Sequence, residues 1–244
     1  MLTKNKKTNN QNLSLAIKAV KNCIRLLKKK PPKIKSIIGK EVKLNLDEKL
    51  IKIIIDSLKA SEIPIISEEK SINENNYIIK NKKSFWIIDP LDGSLNYLRK
   101  IPMSTVSISL IVNNKPKISI IYEIFKNDFY LAYKNNILLN DKKIKLTRKF
   151  IKKKNGVLAT GLPHKYDFSN QKINYKHFQK VRMIGCASLS LLGCALGKYD
   201  WYHEKNIMLW DVIAGYHFNL INKCKVKKFK INKLCQEVSL GYCI

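Results

Sequence analysis

Residues 85–96 read Phe85-Trp86-Ile87-Ile88-Asp89-Pro90-Leu91-Asp92-Gly93-Ser94-Leu95-Asn96. The apolar run at its start predicts a buried strand, and the strand runs straight into two carboxylates three residues apart. Pro90 favours a tight turn. Such a turn aims Asp89, Asp92 and the Leu91 carbonyl into one small volume, the oxygen-rich setting that hard cations such as magnesium require. Gly93 lets a phosphate approach the backbone, and a helix beginning near Ser94 offers it free N–H groups. Asp-Pro-x-Asp-Gly is equally an ordinary turn sequence, in which Asp side chains satisfy backbone N–H groups.

Acids at the ends of other apolar elements shift the balance. Glu68-Glu69 follow the short strand-like run Ile63-Pro64-Ile65-Ile66, and Asp211 follows Trp210 at the start of a helical pattern. Each also has a plain structural role open to it, the Glu pair as solvated charge and Asp211 as a helix cap. Leu13, Ile17, Val20, Ile24 and Leu27 predict an amphipathic helix over residues 12–29, ended by Pro31-Pro32. Leu46, Leu50, Ile54 and Leu58 predict a second helix, with Asp47 in its first turn, where a carboxylate suits the dipole. Residues 63–147 change to a period of two and predict an antiparallel meander, one face covered by the two helices. The basic stretch Arg148–Asn155 marks a boundary, which divides the chain into an α+β part at 1–147 and a smaller α/β part at 148–244. In the second part GVLAT and Lys198–His203 read as strands, Ser188–Leu196 and Asp211–Ile221 as helices.

The 244 residues carry 47 Lys plus Arg against 18 Asp plus Glu, a net charge of +29, with 45% hydrophobic residues. That hydrophobic share excludes a disordered polycation. The charge proposes a polyanionic partner, but nearly all of it is Lys, with only Arg25, Arg99, Arg148 and Arg182 to supply the bidentate fork of phosphate recognition. We read the Lys excess, alongside abundant Ile and Asn, as compositional drift, which leaves nucleic-acid contact as a nonspecific attraction. The six cysteines form no CxxC pair, and His164, His177, His203 and His217 form no HExxH motif. The start of the chain is polar and no window resembles a membrane span, so the expectation is a cytoplasmic protein with no membrane partner.

Three segments together, SEEK at 67–70, WIIDPLDGSLNY at 86–97 and WDVIAG at 210–215, resemble the signatures of the inositol monophosphatase family in order and spacing. IPMSTVSISLIV at 101–112, TGLPH at 160–164 and Gly185-Cys186-Ala187-Ser188 extend the likeness over most of the chain. Ser94 stands where the family has Thr, Leu44 where it has the Thr of T-x-A-D, Cys186 where it has a hydroxyl residue, and Ile221-Asn222-Lys223-Cys224 where relatives have E-A-G-G.

The resemblance implies a layered α/β/α/β/α sandwich of the sugar phosphatase fold, usually a homodimer. It also implies a magnesium-dependent, lithium-sensitive phosphomonoesterase with two or three ions. In the roles it implies, Glu68, Asp89 and the Leu91 carbonyl hold one ion, while Asp89, Asp92 and Asp211 hold a second. Glu68 also reaches a third, weaker ion, and Asp47 supports the water-activating hydroxyl of Ser94. Asp92, Gly93 and Ser94 meet the phosphate; Gly185, Cys186 and Ala187 line the pocket, and Glu204 accepts hydrogen bonds from substrate hydroxyls. Asn96-Tyr97 is similar to the branch acting on inositol 1-phosphate. Adenosine 3',5'-bisphosphate and histidinol phosphate are substrates of relatives with the same metal residues. Some bacterial relatives are tied to RNA and the transcription machinery, which gives a rival, binding role.

Overall fold

The computed structural model describes residues 2–29, 34–38, 41–144, 153–161 and 175–242. Helix α1 (Leu2–Leu27) begins well before the predicted start, because apolar spacing reports only the face that meets a core. The polar residues ahead of it include no Gly or Pro to stop a helix. A hairpin that the sequence reading missed, β1 (Ile34–Ile38) and β2 (Glu41–Leu44), leads into α2 (Asn45–Leu58).

Seven strands form the first sheet in chain order: β3 (Ile65–Ser67), β4 (Ser84–Asp92), β5 (Thr105–Val112), β6 (Lys115–Glu123), β7 (Asp128–Tyr133), β8 (Asn136–Leu139) and β9 (Lys142–Ile144). From β4 onward it is the expected antiparallel meander. The first pair departs from it: β3 runs parallel to β4, because α3 (Ile72–Asn81) carries the chain across between them. The signal for α3 was present as a capping box, Ser71 accepting the Glu74 N–H while the Glu74 carboxylate accepts the Ser71 N–H.

Alternation on the central strands decides the layers. Trp86, Ile88, Ile108 and Ile120 face Ala16, Val20, Leu50 and Ile54 of α1 and α2. Phe85, Ile87 and Ile111 face the other way, against Leu209, Trp210 and Ile213 of α6 (Leu209–Ile221). Beyond α6 and its neighbour α5 (Ala187–Ala195) lies a second, mixed sheet ordered β11-β10-β12-β14-β13. Its strands are β10 (Val157–Ala159), β11 (Lys180–Arg182), β12 (Trp201–Met208), β13 (Lys225–Lys228) and β14 (Cys235–Gly241). Gly215 of the WDVIAG segment permits close helix packing, since a Cβ there would fall 2.3 Å from the Leu191 Cβ. Phe178 and Val181 cover Leu158 and Trp201 on the outer face.

Helix, sheet, helix and sheet thus follow in the order of the first four layers of the expected α/β/α/β/α sandwich. The strand predicted at Lys198–His203 lies further along, at Trp201–Met208, so Glu204 sits inside it. Most of the break at Arg148–Asn155, and Leu162, Pro163 and His164 of TGLPH, lie outside the described residues. Cys23, Cys186, Cys194 and Cys224 are buried and Cys235 is exposed; Cys243 lies outside the described residues. No helix among the described residues is long and apolar enough to cross a membrane.

Candidate active site

Residues three apart on a regular strand face opposite sides. β4 breaks this rule, because Asp89 pairs with Ser107 and Asp92 with Thr105, so three steps on one strand match two on the other. This bulge at Pro90-Leu91 puts both carboxylates on the face turned to α5 and α6, and a bulge is where a strand tolerates proline. Asp89 Oδ1 accepts the Leu91 N–H at 3.0 Å, and the Ser94 hydroxyl donates to the Leu91 carbonyl at 2.9 Å. The plain turn bonds are therefore made as well. Helix α4 (Ser94–Leu98) starts where the sequence placed it, after Gly93 at φ +80°, where a Cβ would stand 2.7 Å from the Met103 carbonyl oxygen.

Two helix N-termini meet this bulge. Asp92 Oδ2 accepts the Ser188 N–H at 2.7 Å, the Ser188 hydroxyl and, at 3.2 Å, the Cys186 thiol. Asp211, in the first turn of α6, reaches back to the Met208 N–H at 3.2 Å. Both carboxylates sit where a helix dipole favours negative charge. Asn96 Nδ2 donates to the carbonyls of Met103 at 2.9 Å, Ile184 at 2.8 Å and Gly185 at 3.2 Å, which ties the first signature to the Gly185–Ser188 segment.

The electrostatics are one-sided. Asp89 is 2% exposed, and its pKa is pushed well above the usual carboxylate range by burial and then by the charges of Asp92, Asp211 and Glu68. Burial raises Asp92 too, against hydrogen bonds from Ser188, Cys186 and the Ala187 N–H. Burial, followed by Asp92 and Glu68, lifts Asp211 well above its ordinary value. Glu204 on β12 is pushed up to about 7 by burial, although it accepts the Tyr202 hydroxyl at 2.6 Å. Among the described residues, lysines form ion pairs with Glu48, Glu123 and Glu237.

Oxygen donors that repel one another in a buried site suit a hard divalent cation. Among the described residues no three Asp, Glu, His or Cys side chains enclose one point, and Asp92 and Asp211 each turn Oδ2 to a helix N-terminus. Glu68 follows Ser67, which pairs with Ile88, the residue before Asp89. Asp47 accepts the Leu44 N–H at 2.7 Å at the start of α2, while the Ser94 hydroxyl donates to Leu91. Sequence reasoning missed Tyr202, which shares a strand face with Glu204 two residues on, and Asn96 as the link between segments.

The model of the inositol monophosphatase family matches residues 9–217. "Nus factor SuhB" of Xylella fastidiosa is 33% identical over 187 residues, 70% of this chain and 63% of that protein. "Inositol-1-monophosphatase" of Synechocystis is 33% identical over 139 residues, 53% of this chain and 47% of that protein. The chain thus spans less than two thirds of the length of these curated relatives. A dual specific IMPase/NADP phosphatase solved with D-inositol-1-phosphate superposes with a TM-score of 0.83 at 17% identity, covering 96% of this chain and 92% of that one. The extragenic suppressor protein suhB of Bartonella henselae does so with 0.75 at 24%, covering 93% and 91%. The acids of β4 and α6, the order of layers and a family match over most of the sequence agree, and the chain belongs to the inositol monophosphatase family.

Proposed function

We propose that the chain is a magnesium-dependent phosphomonoesterase hydrolysing inositol 1-phosphate or a similar small sugar phosphate. The observation that carries this reading is the cluster of buried Asp89 with half-buried Asp92, Asp211 and Glu68: the charges of Asp92, Asp211 and Glu68 raise Asp89, and those of Asp92 and Glu68 raise Asp211. Glu68, Asp89 and the Leu91 carbonyl would hold one ion, and Asp89, Asp92 and Asp211 a second, with Glu68 reaching a third. Magnesium, when bound, supplies the charge that acidifies a water and offsets charge on the leaving oxygen. The chain does the rest. Ser94 donates its hydroxyl hydrogen to the Leu91 carbonyl, so its oxygen is left to accept a hydrogen bond from a water. Asp47 would support Ser94, and β2, which leads into it, packs on α4. Gly93 and Ser94 receive the phosphate, while Gly185, Cys186 and Ala187 line the pocket. Glu204, oriented by the Tyr202 hydroxyl, accepts hydrogen bonds from substrate hydroxyls. Lithium inhibition and a homodimer belong to the same reading.

Phosphate release from inositol 1-phosphate, histidinol phosphate and adenosine 3',5'-bisphosphate tests it, with and without magnesium. We expect inositol 1-phosphate or a similar small sugar phosphate to be preferred, and Asp92→Asn to abolish turnover. Activity that survives in this variant or without divalent metal overturns the reading.

The relatives named Nus factor SuhB favour a second reading, contact with RNA or the transcription machinery. Lys227, Lys228, Lys230 and Lys233 line a groove of about 420 Å³ beside the edge strand β13. RNA titration at several salt concentrations decides it: steep salt dependence without sequence preference marks polycation attraction and removes it.

A further inference from the structure

We propose that Asn75 is a positioning residue that sets where Glu68 presents its carboxylate to Asp89. The inference rests on the reading that these two acids share a metal. Glu68 and Glu69 occupy the two corners of a turn that the Lys70 N–H closes on the Ser67 carbonyl at 3.3 Å. Fixing where the Glu68 side chain starts means holding both ends of this turn. Asn75 does so from below. It is fully buried on α3, and its Oδ1 accepts the Ser67 N–H at 3.3 Å. Its Nδ2 donates to the Ser67 carbonyl at 2.7 Å and to the Lys70 carbonyl at 3.4 Å, gripping both ends of the turn.

The grip is referenced to the strand that carries Asp89. Ser67 pairs with Ile88 in the parallel β3–β4 register, so a carboxamide locked to the Ser67 backbone holds Glu68 at a set height beside Asp89. Asp89 senses Glu68 electrostatically, and so does Asp211. The capping box of Ser71 and Glu74 starts α3 immediately after the turn. Asn75 lies outside the signatures that carry the family resemblance. A side chain that orients a metal ligand without touching the ion affects metal affinity ahead of chemistry, commonly by tenfold or more.

Calorimetric titration of magnesium into wild type, Asn75→Ala, Asn75→Asp and Glu74→Ala tests the proposal, each variant first shown folded by its melting curve. Asn75→Asp retains the acceptor for the Ser67 N–H and loses both donated bonds, and it carries the test if Asn75→Ala does not fold. Glu74→Ala weakens the start of α3 and leaves the grip in place. We expect both Asn75 variants to bind magnesium about tenfold more weakly. Turnover at saturating magnesium should stay within about threefold of wild type, and Glu74→Ala should bind as wild type does. Unchanged affinity in folded Asn75 variants overturns the proposal, as does an equal loss in Glu74→Ala, which would mark general loosening of α3. Wild type that binds no magnesium overturns the functional reading and this inference together.

Discussion

The Ser188 backbone N–H points at Asp92 Oδ2 from 2.7 Å, across 96 residues of sequence, and the Ser188 hydroxyl donates to the same oxygen. A carboxylate from the first sheet thus caps a helix of the following layer. Site assembly and the docking of α5 are therefore one event, and the acid's burial is offset by the donors that hold it.

Ser188→Ala removes the hydroxyl bond and leaves the N–H bond. Thr105 loses its contact with that hydroxyl, 2.6 Å away, at the same time. Urea unfolding is expected to show a loss of about 1.5–3 kcal/mol, the range for a hydrogen bond to a charged group. Unchanged stability would show that the hydroxyl is dispensable.

At Gly93 the backbone lies at φ +80°, and a Cβ added there would meet the Met103 carbonyl oxygen at 2.7 Å. Gly93→Ala should cost about 1–2 kcal/mol of stability through the left-handed conformation. The larger effect is expected on catalysis, about a hundredfold, because α4 and Ser94 move with the strained residue. Turnover measured beside melting temperature separates the two; equal, small effects would refute the expectation.

Thiol reactivity should divide the cysteines by environment. Burial pushes Cys23 up to about 12, and burial together with the Asp92 charge lifts Cys186 well above the ordinary thiol value. A maleimide at pH 7 is expected to label exposed Cys235 first and to leave Cys23 and Cys186 unmodified until the protein unfolds. Peptide mass spectrometry over time reads the order directly, and early labelling of Cys186 would contradict its placement under Asp92.

His217 on α6 stands 2.9 Å from the Ser119 hydroxyl, with its pKa held at about 4, below the ordinary 6.5, by burial and then by Lys117. Its folded value lies below its unfolded one, so its neutral form stabilises the fold above pH 6.5. That contribution is lost as pH falls through 4. The stability difference between wild type and His217→Gln should shrink by about 3 kcal/mol across that window. Taking the difference cancels the site carboxylates, whose raised values act in the opposite sense; a pH-independent difference would rule the mechanism out.

Residues 85–96 were enough to read the strand and the short helix after Gly93, because both are written in local spacing, while the layered sandwich and the family came from the resemblance that these residues, the acidic pair and the WDVIAG segment carry. α3 and the β1–β2 hairpin went unread. The apolar residues of α3 are few and its capping box is easily passed over, while β1 and β2 are too short to alternate clearly. What only tertiary structure decided is how the acids meet. Residues three apart reach one face only through a bulge set by pairing with β5, and Asp92 reaches the α5 N-terminus only when the layers close. Asn75 under Glu68 and Asn96 on Gly185 are likewise contacts that exist once the chain has folded back on itself. Sequence spacing determined which residues carry charge into the core; the register of strands and the packing of helices determined which of those charges share a site.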